Sequence, residues 1–461
     1  MEQKQKTIYL IIGAGLTGLT LGFYLKKAGK QVMLVDKNPE PGGVIQTRTE
    51  NGFTYETGPN TGVLSTPELV ELFDDLGDKC NPEIANQAAK QRWIWKYGRW
   101  HALPSGLIGG VTTPLFSMKD KLRILGEPFR KAGTDPYESV AQLVIRRMGQ
   151  SFLDYAVDPF ISGIYAGDPG SLITRFALPK LYRLEQNYGS FIGGAIKKRK
   201  EPKDIREEKA TKDVFSVRGG LANLIHAMAG SIDPDNIITG TDAVTVHPSE
   251  NGFLCSVKND GQEKVLIQAE KVITTVGAYA LPDLLPFLDA ALLSPVTQLR
   301  YARVIQAVAG YKKWSGIPLQ AFGGLVPGKE KREVLGILFP SAIFEGRAPE
   351  GGALLSVFLG GMKRPELFDL SDEEVRKLVL EEIHKMMQEK AAPDMLHIFR
   401  YPHAIPQYER SSEERLARII RIEKEYPGLL LAGNIRDGIG IADRVKQGRI
   451  IADSLIEQSN G

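Results

Sequence analysis

Strand and helix patterns alternate at the start of the chain. Apolar residues run without interruption over Ile8–Ile12, which predicts a buried strand. The turn Gly13–Gly18 follows at once, and a helical run rich in apolar residues then continues to Leu25, before Gly29 ends the segment. A second strand is predicted over Gln31–Val35. This order of strand, glycine-rich turn, helix and strand indicates an α/β unit with a parallel sheet.

Three later stretches continue these patterns. Val214–Gly220 is a turn that leads into a helix, and Ile237–Val276 is rich in β-forming residues with a hairpin near 248–252. Close to the C-terminus, Leu429–Leu431 is a buried strand, and a glycine-bearing turn and a helix that reaches Leu455 follow it. We expect these stretches to return to the sheet that the first strand begins, so that one domain is built from three separated segments.

Composition limits the classes of function. The 461 residues are 43% hydrophobic and 25% charged, and 58 basic against 55 acidic residues leave a net charge of +3. This balance gives no basis for binding nucleic acid through its phosphates. The two cysteines, Cys80 and Cys255, are too few for a disulfide framework or a thiolate metal site, so no metal is predicted. No run approaches the ~18–20 apolar residues that span a bilayer, so we expect a cytoplasmic chain, either free or peripheral on the cytoplasmic face of the cell membrane.

The turn after the first strand has the spacing of a dinucleotide-binding motif. Gly13 permits a tight turn, Gly15 lets the backbone approach a pyrophosphate, and Gly18 lets the helix pack close to the strand. Asp36 stands at the end of the second strand, where a carboxylate accepts hydrogen bonds from a ribose diol and disfavours the 2′-phosphate of NADP. Because the strands, the helix and the acid accompany the glycines, the sequence predicts a bound dinucleotide.

Other glycine-bearing turns have the same character. Gly42-Gly43 with Val44 follows the second strand, Gly58–Thr61 comes next, and Gly438–Ile441 precedes the last helix. The backbone at such turns can lie against an extended or flat cofactor. The strand around Val244 is expected to meet the adenine edge.

An uncharged apolar stretch, Leu103–Met118, precedes several basic residues as far as Lys131. Two interpretations of 103–131 stay open at this point. The segment either contacts the interfacial layer of an anionic membrane or lies in the core of the protein.

These motifs together resemble those of the FAD-dependent protoporphyrinogen oxidases, a branch of the monoamine-oxidase-like flavoproteins. The wider resemblance is carried by Gly13–Gly18, Asp36, Gly42-Gly43, Ala432–Asn434 and Gly438–Ile441. The narrower resemblance is carried by Gly58–Thr61, Arg92–Trp95 with His101–Gly106, Ser162–Pro169 and Leu335–Ser341. Within these stretches the segment Gly163–Asp168 is the most specific, because it matches little outside the family.

The resemblance implies an α/β fold, α+β overall. A Rossmann-like FAD-binding domain of the amine-oxidase/glutathione-reductase type is interleaved with a mixed-sheet substrate domain and an α-helical insertion that attaches to membrane. On this sequence the FAD-binding domain is expected over 1–64, 213–280 and 406–461. The substrate domain is expected over 65–90, 188–212 and 281–405, and the insertion over 91–187.

The resemblance also implies an enzyme, an oxidoreductase that acts on CH–CH groups. The expected reaction is the six-electron oxidation of protoporphyrinogen IX to protoporphyrin IX in haem biosynthesis. FAD is the expected cofactor, held noncovalently because the C-terminal flavin segment has no cysteine, and O2 (with H2O2 formed) or a quinone takes the electrons. Because the flavin carries the redox chemistry, no catalytic triad is expected.

Site residues are carried over from the resemblance one by one. The catalytic positions are Asn60, beside the flavin, and Gly167, whose carbonyl faces pyrrole N–H groups. Arg92 is expected to pair with a substrate propionate and Phe339 to stack on a pyrrole ring. The expected FAD contacts are Gly13, Ala14, Gly15, Leu16, Thr17, Gly18, Asp36, Lys37, Gly43, Val44, Gly58, Pro59, Asn60, Thr61, Val244, Ile439, Gly440 and Ile441.

Several alternatives stay open. A related oxidase acts on coproporphyrinogen III, which carries four carboxylates instead of two, and Arg92 with the strand Arg92–Trp95 favours the two-propionate substrate. The chain could instead be a non-catalytic tetrapyrrole-binding flavoprotein, or an amine or carotenoid oxidoreductase on the same fold. The electron acceptor, contact with a membrane surface and assembly into a homodimer are also open.

Overall fold

Strands and helices alternate along the chain. The computed structural model describes residues 3–104, 109, 112–202, 204–258 and 265–460. The strands are β1 Gln3–Ile12, β2 Val32–Val35, β3 Thr47–Glu50, β4 Phe53–Glu56, β5 Gly62–Val63, β6 Pro82–Ile84, β7 Trp93–Lys96, β8 Arg99–Ala102, β9 Val214–Val217, β10 Ile237–Ile238, β11 Ala243–Ser249, β12 Gly252–Lys258, β13 Val265–Thr274, β14 Tyr301–Tyr311, β15 Gly323–Leu325, β16 Val334–Leu338, β17 Ala353–Gly360, β18 Met395–Pro406 and β19 Leu429–Leu431. The longer helices are α1 Leu16–Lys27, α2 Pro67–Leu76, α3 Met118–Leu125, α4 Val140–Arg147, α5 Asp158–Tyr165, α6 Pro179–Tyr188, α7 Phe191–Lys200, α8 Ala222–Ala229, α9 Ala290–Thr297, α10 Asp372–Met387, α11 Ser412–Glu425 and α12 Ile441–Asn460. Shorter helical segments span Gln150–Phe152, Leu153–Val157, Thr174–Ala177, Ile205–Glu208, Leu281–Leu284 and Pro340–Ile343.

The first sheet draws seven described strands from three parts of the chain. Its order is β10-β2-β1-β13-β12-β11, and β19 pairs with the C-terminal end of β13. The predicted strands near residues 8, 31 and 429 are confirmed, and β1 begins earlier than the apolar run because Gln3–Thr7 pairs with Val265–Ala269. β1, β2, β13 and β19 run parallel. The turns after them therefore meet at one edge of the sheet, where such folds bind ligands.

Helices cover both faces of the first sheet. Buried apolar side chains of α1, α2, α8 and α12 form one core with β1 and β2. The opposite face packs against α9 and α11, with buried residues such as Leu293, Val296 and Ile419. This layered packing leaves the edge formed by the strand ends as the open part of the sheet.

The second sheet is mixed and faces this edge. Its order is β18-β14-β17-β16-β15-β7-β8, and the β15–β7 pair is parallel. One face packs on the apolar side of α10, whose Val375, Val379 and Ile383 are buried with residues of β14, β16 and β17. β7 and β8 belong to this sheet although they fall within 91–187, so the helical part of that range begins after Ala102. The division into domains stays a prediction.

Buried charges hold the helices between α3 and α7 together. Glu127 accepts hydrogen bonds from the backbone N–H groups of Phe191 and Ile192 at the start of α7, at 2.9 and 3.1 Å. Arg147 pairs with Glu127 at 2.8 Å and with Glu185 at 3.0 Å, and all three side chains are fully buried or nearly so. Burial acts to raise the pKa of Glu127, but these bonds and the positive charge outweigh it and lower the pKa. The network therefore keeps an ionised carboxylate at the N-terminus of α7.

The open question about 103–131 has a divided answer in the residues that are described. Leu115 and Phe116 are buried beside Ile94 and Tyr155. Met118, Leu122 and Leu125, which follow on α3, are instead exposed. Residues 105–108, 110 and 111 lie outside the described residues.

Among the residues that the structure describes, no helix combines the length and the apolar character needed to cross a membrane. Cys80 and Cys255 are both free and buried. Burial raises the pKa of the Cys80 thiol to about 11 and that of the Cys255 thiol to about 12. Neither thiol therefore has the thiolate character of a reactive cysteine at neutral pH.

Candidate functional site

The turn between β1 and α1 leaves the helix N-terminus open. Gly13 has a φ of +106°, and a Cβ atom added at Gly18 would lie 1.9 Å from the Gly13 carbonyl oxygen. Only glycine at position 18 therefore lets the helix come so close to the turn. Gly15 is the N-cap and provides no side-chain cap, and a Cβ at Gly15 would meet no described atom within 4 Å. The backbone N–H groups and the dipole of such an end favour an anionic ligand.

Asp36 holds this turn from inside. Its Oδ2 accepts a hydrogen bond from the Ala14 N–H at 2.6 Å, and its Oδ1 accepts one from the Asn38 N–H at 2.8 Å. The side chain is buried. Hydrogen bonds to a ribose diol, the role predicted from the sequence, would use the remaining lone pairs of the carboxylate.

Val244 and Lys37, which are also predicted to contact FAD, lie at the same edge of the sheet as Asp36. The Thr241 hydroxyl donates to the Asp36 carbonyl at 3.2 Å, and half-buried Val244 follows in β11. Lys37 is exposed, and its Nζ lies 5.9 Å from the centre of the Tyr279 ring. The structure thus brings Val244 and Lys37 to the side of the turn where the adenosine part of a dinucleotide is predicted.

A continuous backbone surface extends from the first turn. A Cβ at Gly43 would lie 3.6 Å from the Gly15 Cα, and a Cβ at Gly58 would lie 2.0 Å from the Val44 carbonyl oxygen. Glycine is required at position 58 because any larger residue would collide with the Val44 backbone. The Val44 side chain is 59% exposed, which is unusual for a valine beside a tightly packed turn. Bare backbone with an apolar side chain on it suits a flat, extended ligand.

Asn60 connects this surface to the second sheet. Its Nδ2 donates to the Gly58 carbonyl at 3.1 Å, and its Oδ1 accepts a hydrogen bond from the Ser356 hydroxyl at 2.8 Å. Asn60 and Ser356 are buried, whereas Pro59 and Thr61 are half-buried. Sequence reasoning missed Ser356, and its only signal was a polar residue inside the otherwise apolar strand β17.

The N-terminal halves of α1 and α12 lie together. A Cβ at Gly448 would lie 2.7 Å from the Thr17 carbonyl oxygen, and the Thr17 hydroxyl donates to the Arg444 carbonyl at 3.3 Å. Leu16 is buried in the core at the same level. Ile439–Ile441, the third predicted cofactor segment, stands at the N-terminus of α12 and so reaches the same place as Gly13–Gly18.

A buried ion pair, also missed from the sequence, lies beside the Asn60 turn. Arg347 Nη1 lies 3.3 Å from Glu56 Oε1, and both side chains are almost fully buried. Glu56 also accepts hydrogen bonds from the Leu221 N–H at 2.9 Å and the Thr47 hydroxyl at 2.7 Å. Burial raises the pKa of Glu56, and these donors partly offset that effect. The pair ties β4, which leads into the Asn60 turn, to the segment between β16 and β17.

Arg92 directly precedes β7 and lies level with Ser356 in the second sheet. Its neighbour Trp93 pairs with β15, and the pairing of β15, β16 and β17 leads on to Ser356. Three strand-to-strand spacings of about 4.8 Å separate Arg92 from Ser356, so the two residues lie about 14 Å apart. Asn60 is hydrogen-bonded to Ser356. The Arg92 guanidinium lies 5.4 Å from the centre of the Phe322 ring. Arg92 is exposed overall, but part of its side chain is shielded from water, and this shielding lowers the pKa of the guanidinium.

Gly167 lies in a buried turn after α5. The Ala166 carbonyl accepts a hydrogen bond from the Met362 N–H at 2.7 Å, just after β17. Gln407, just after β18, donates from Nε2 to the Tyr165 carbonyl at 2.9 Å, and a Cβ at Gly167 would lie 2.7 Å from its Oε1. Only glycine fits this turn without a shift of Gln407. The ends of β17 and β18 thus hold Gly167 at the border of the second sheet.

The structure does not bring Phe339 to the other predicted residues. Its ring has no exposed surface and packs edge-on against Trp93, with ring centres 5.6 Å apart. Phe339 directly follows Leu338, which pairs with Ser356, so the alternation of side chains turns Phe339 to the opposite face of the sheet. Stacking on a substrate ring stays a prediction, and it would require the ring to leave the core formed with α10.

A cleft of about 420 Å³ opens next to the Lys37 edge. Tyr279, Tyr301 and His403 line it, and the rings of Tyr279 and His403 are stacked with centres 3.9 Å apart. Burial and the positive charge of Lys37 lower the pKa of His403. The cleft includes none of the residues predicted from the sequence. Within the described ranges, no group of three or more His, Cys, Asp and Glu side chains could hold a metal ion.

Comparison with known proteins agrees with this geometry. The family model described as flavin containing amine oxidoreductase matches residues 16–456. Protoporphyrinogen oxidase 1 of Arabidopsis thaliana is 30% identical over 460 residues, which cover 94% of this chain and 84% of the relative. Coproporphyrinogen III oxidase of Bacillus subtilis is 27% identical over 467 residues, which cover 97% of each chain.

A solved structure shares the fold along its whole length. It is that of a candidate protoporphyrinogen oxidase from Exiguobacterium, with a TM-score of 0.81 and 22% sequence identity. The superposition covers 99% of this chain and 100% of the other.

Proposed function

The chain belongs to the flavin-containing amine oxidoreductase family, and on this premise we propose that it oxidises a porphyrinogen to the corresponding porphyrin with FAD as cofactor. One observation carries the substrate proposal. The Asn60 turn adjoins the cofactor surface and is hydrogen-bonded to Ser356, and Arg92 lies in the same sheet about 14 Å from Ser356, so the turn and the Arg92 cation border one region of the second sheet. The relatives named as porphyrinogen oxidases support this substrate class.

The described residues fit FAD. The uncapped N-terminus of α1, with open space in front of Gly15, suits the diphosphate. The bare backbone at Gly43 and Gly58 and the exposed Val44 suit a flat ring system. The residues that we assign to FAD binding are Gly13, Ala14, Gly15, Leu16, Thr17, Gly18, Asp36, Lys37, Gly43, Val44, Gly58, Pro59, Asn60, Thr61, Val244, Ile439, Gly440 and Ile441.

The protein itself has to bind, orient and enclose the substrate. The chemistry that FAD supplies when bound is a two-electron oxidation, performed three times per porphyrinogen, with the electrons passed on to O2, which forms H2O2, or to a quinone. Arg92 donates hydrogen bonds to a propionate carboxylate and so fixes the orientation of the macrocycle. Asn60 and the Gly167 carbonyl border the reacting centre, and the surrounding sheet and α5 exclude water.

We propose protoporphyrinogen IX as the substrate, with coproporphyrinogen III as the alternative. The test is to assay the purified protein with each porphyrinogen and to follow porphyrin fluorescence. We expect faster turnover of protoporphyrinogen IX, and faster turnover of coproporphyrinogen III would assign the alternative.

The Arg92→Ala variant tests the propionate contact in the same assay. Hydrogen bonds to charged groups contribute about 1.5–3 kcal/mol, so kcat/KM should fall about 10- to 100-fold, mainly through KM. Arg99→Ala is the matched control, because Arg99 is an exposed arginine of the same β7–β8 hairpin. Equal activity of the Arg92 variant and the control would contradict the propionate contact.

A tetrapyrrole-binding flavoprotein without turnover is the remaining alternative. Anaerobic addition of porphyrinogen to the FAD-loaded protein distinguishes the two functions. In an oxidase, the absorbance of oxidised flavin should disappear within the time of one turnover. In a binding protein, this absorbance should persist.

The exposed side of α3 supports contact with a membrane surface. Met118, Leu122 and Leu125 are 64–68% exposed and lie one turn apart along one side of α3, and Phe129, in the short turn that follows the helix, is 89% exposed. Basic residues at positions 119, 121, 123, 130 and 131 accompany them. This combination is typical of a segment that inserts apolar side chains into the interface of an anionic bilayer.

A further inference from the structure

Two buried arginines hold residues 433–440, which lie in the loop between β19 and α12. Arg415 donates from Nε to the carbonyl of Ile435 at 3.1 Å. Arg444 donates from Nη2 to the carbonyl of Arg436 at 2.8 Å. Both arginines therefore act on the backbone of the loop that delivers Ile439–Ile441 to the cofactor surface.

Two further side chains complete the anchor. The Tyr408 hydroxyl donates to the Gly438 carbonyl at 2.9 Å and accepts a hydrogen bond from the Gly438 N–H at 3.1 Å. Burial raises the pKa of Tyr408 to about 12, so the hydroxyl keeps its proton at neutral pH. Gln447 accepts the Gly433 N–H at 2.8 Å through Oε1. The loop is thus fixed by side chains rather than by secondary structure.

The two guanidinium groups are buried without an anionic partner. Arg415 is 1% exposed and Arg444 is 9% exposed. No ion pair in the described part of the chain includes either of them, and Arg415 Nη1 and Arg444 Nε lack a hydrogen-bond partner among the described atoms. Buried charges are normally paired, because transfer of an unpaired charge from water is costly.

Nearby acids compensate this charge only in part: Glu409 acts on Arg415, and Asp437 and Asp443 act on Arg444, but none of them forms an ion pair with either arginine. Asp437 and Glu409 are paired with other arginines, and Asp443 accepts a backbone N–H at the start of α12. Burial lowers the pKa of both Arg415 and Arg444, but a guanidinium keeps its proton in proteins. Burial outweighs these acids for both arginines, so the two positive charges behind the loop are incompletely balanced, and the N-terminus of α12 adds its own partial positive charge.

We propose that Arg415 and Arg444 are positioning residues that hold the 433–440 loop against FAD and whose charge is balanced by the cofactor, more strongly in its reduced form. FAD carries a negative diphosphate and can gain further negative charge when it is reduced by two electrons. The two arginines should therefore stabilise the reduced cofactor more than the oxidised one and raise its reduction potential. This inference rests on the flavin part of the proposed function and not on the porphyrinogen.

The test compares charge removal with charge retention. Arg415→Met and Arg444→Met remove the charge, whereas Arg415→Lys and Arg444→Lys retain it and weaken the planar bonds to the loop. Arg332→Met is the control, because Arg332 is a half-buried arginine paired with Glu382 at 2.7 Å, away from the loop. The dissociation constant of oxidised FAD is measured by titrating apoprotein, and the midpoint potential of bound FAD is measured by equilibrium with redox dyes.

We expect each Met variant to weaken the binding of reduced FAD at least tenfold more than the binding of oxidised FAD. For a two-electron couple, a tenfold difference lowers the potential by about 30 mV. The Lys variants should keep the potential of the wild type while binding FAD more weakly, and the control should change neither quantity.

An unchanged potential in both Met variants would overturn the proposal, even if FAD binds more weakly, because loss of an anchor alone weakens both redox forms equally. Circular dichroism of the apoprotein checks folding. Where one Met variant does not fold, the variants of the other arginine provide the same measurement. No porphyrinogen is used, so failure of the substrate proposal leaves these outcomes unaffected.

Discussion

The Asn60 amide is bonded at both ends. Its Nδ2 donates to Gly58 within the cofactor turn, and its Oδ1 accepts a hydrogen bond from Ser356 in the second sheet. The first bond fixes the turn and the second fixes which way the amide faces. A neutral hydrogen bond of this kind contributes about 1 kcal/mol. Loss of the Ser356 bond should therefore alter the orientation of Asn60 without unfolding the protein.

Ser356→Ala tests this at the residue scale. We expect kcat for porphyrinogen oxidation to fall about tenfold, which corresponds to about 1.4 kcal/mol, with KM and FAD content unchanged. Ser341→Ala is the control, because the Ser341 hydroxyl bonds the Leu354 N–H of the same strand and not the cofactor turn. A wild-type kcat in Ser356→Ala would show that the orientation of Asn60 does not limit the reaction.

The glycines at the start of α1 and within α12 have different functions. Gly18 and Gly448 are needed for packing, because a side chain at either would collide with the backbone at Gly13 or Thr17. Gly15 is different, since its missing side chain would meet only open space. Its backbone φ of −73° is also accessible to alanine. Gly15 is therefore needed for the ligand and Gly18 for the fold.

A pair of alanine substitutions separates these two functions at the scale of the element. Gly15→Ala should leave the thermal midpoint of the apoprotein unchanged but lower the affinity for FAD at least tenfold, because the methyl group occupies the space of the diphosphate. Gly18→Ala should lower the thermal midpoint, since overpacking costs typically about 1–3 kcal/mol or more. Wild-type FAD affinity in Gly15→Ala would place the diphosphate elsewhere.

On the scale of the whole molecule, the exposed side of α3 lies at the same border of the second sheet as Arg92. Leu115 and Phe116, directly before α3, pack on Ile94 of β7. Lys96, also in β7, donates to the Leu115 carbonyl at 2.7 Å. An apolar surface attached to this border would hold the substrate side of the molecule against a lipid surface.

The double variant Leu122→Ser/Phe129→Ser tests that orientation by sedimentation with phosphatidylcholine–phosphatidylglycerol vesicles. Full burial of one such side chain is worth about 1.5–3 kcal/mol, so vesicle affinity should fall at least tenfold. Ile420→Ser is the control, because Ile420 is 64% exposed on α11. Equal vesicle binding of the double variant and the control would remove α3 from the contact.

The sequence by itself determined the features that depend on neighbouring residues. The apolar runs of β1, β2 and β19 are local, and the spacing of Gly13, Gly15 and Gly18 follows from the geometry of one turn. The cofactor class and the three-part first sheet follow from these signals, because strands, turns and helices each have a characteristic pattern of residues in the local sequence.

Only the tertiary structure decided which residues contact each other between and within the two sheets. Ser356 reaches Asn60 over 296 positions of sequence, and β7 joins the second sheet through β15 although it was grouped with the helical segment. Phe339 faces the core because it follows Leu338 in the alternation of a strand whose register no local pattern shows. Arg415 and Arg444 look like surface charges in the sequence, and folding buries them. Pairings between distant segments are set by the packing of the whole chain, and for this reason the substrate side was the least predictable part.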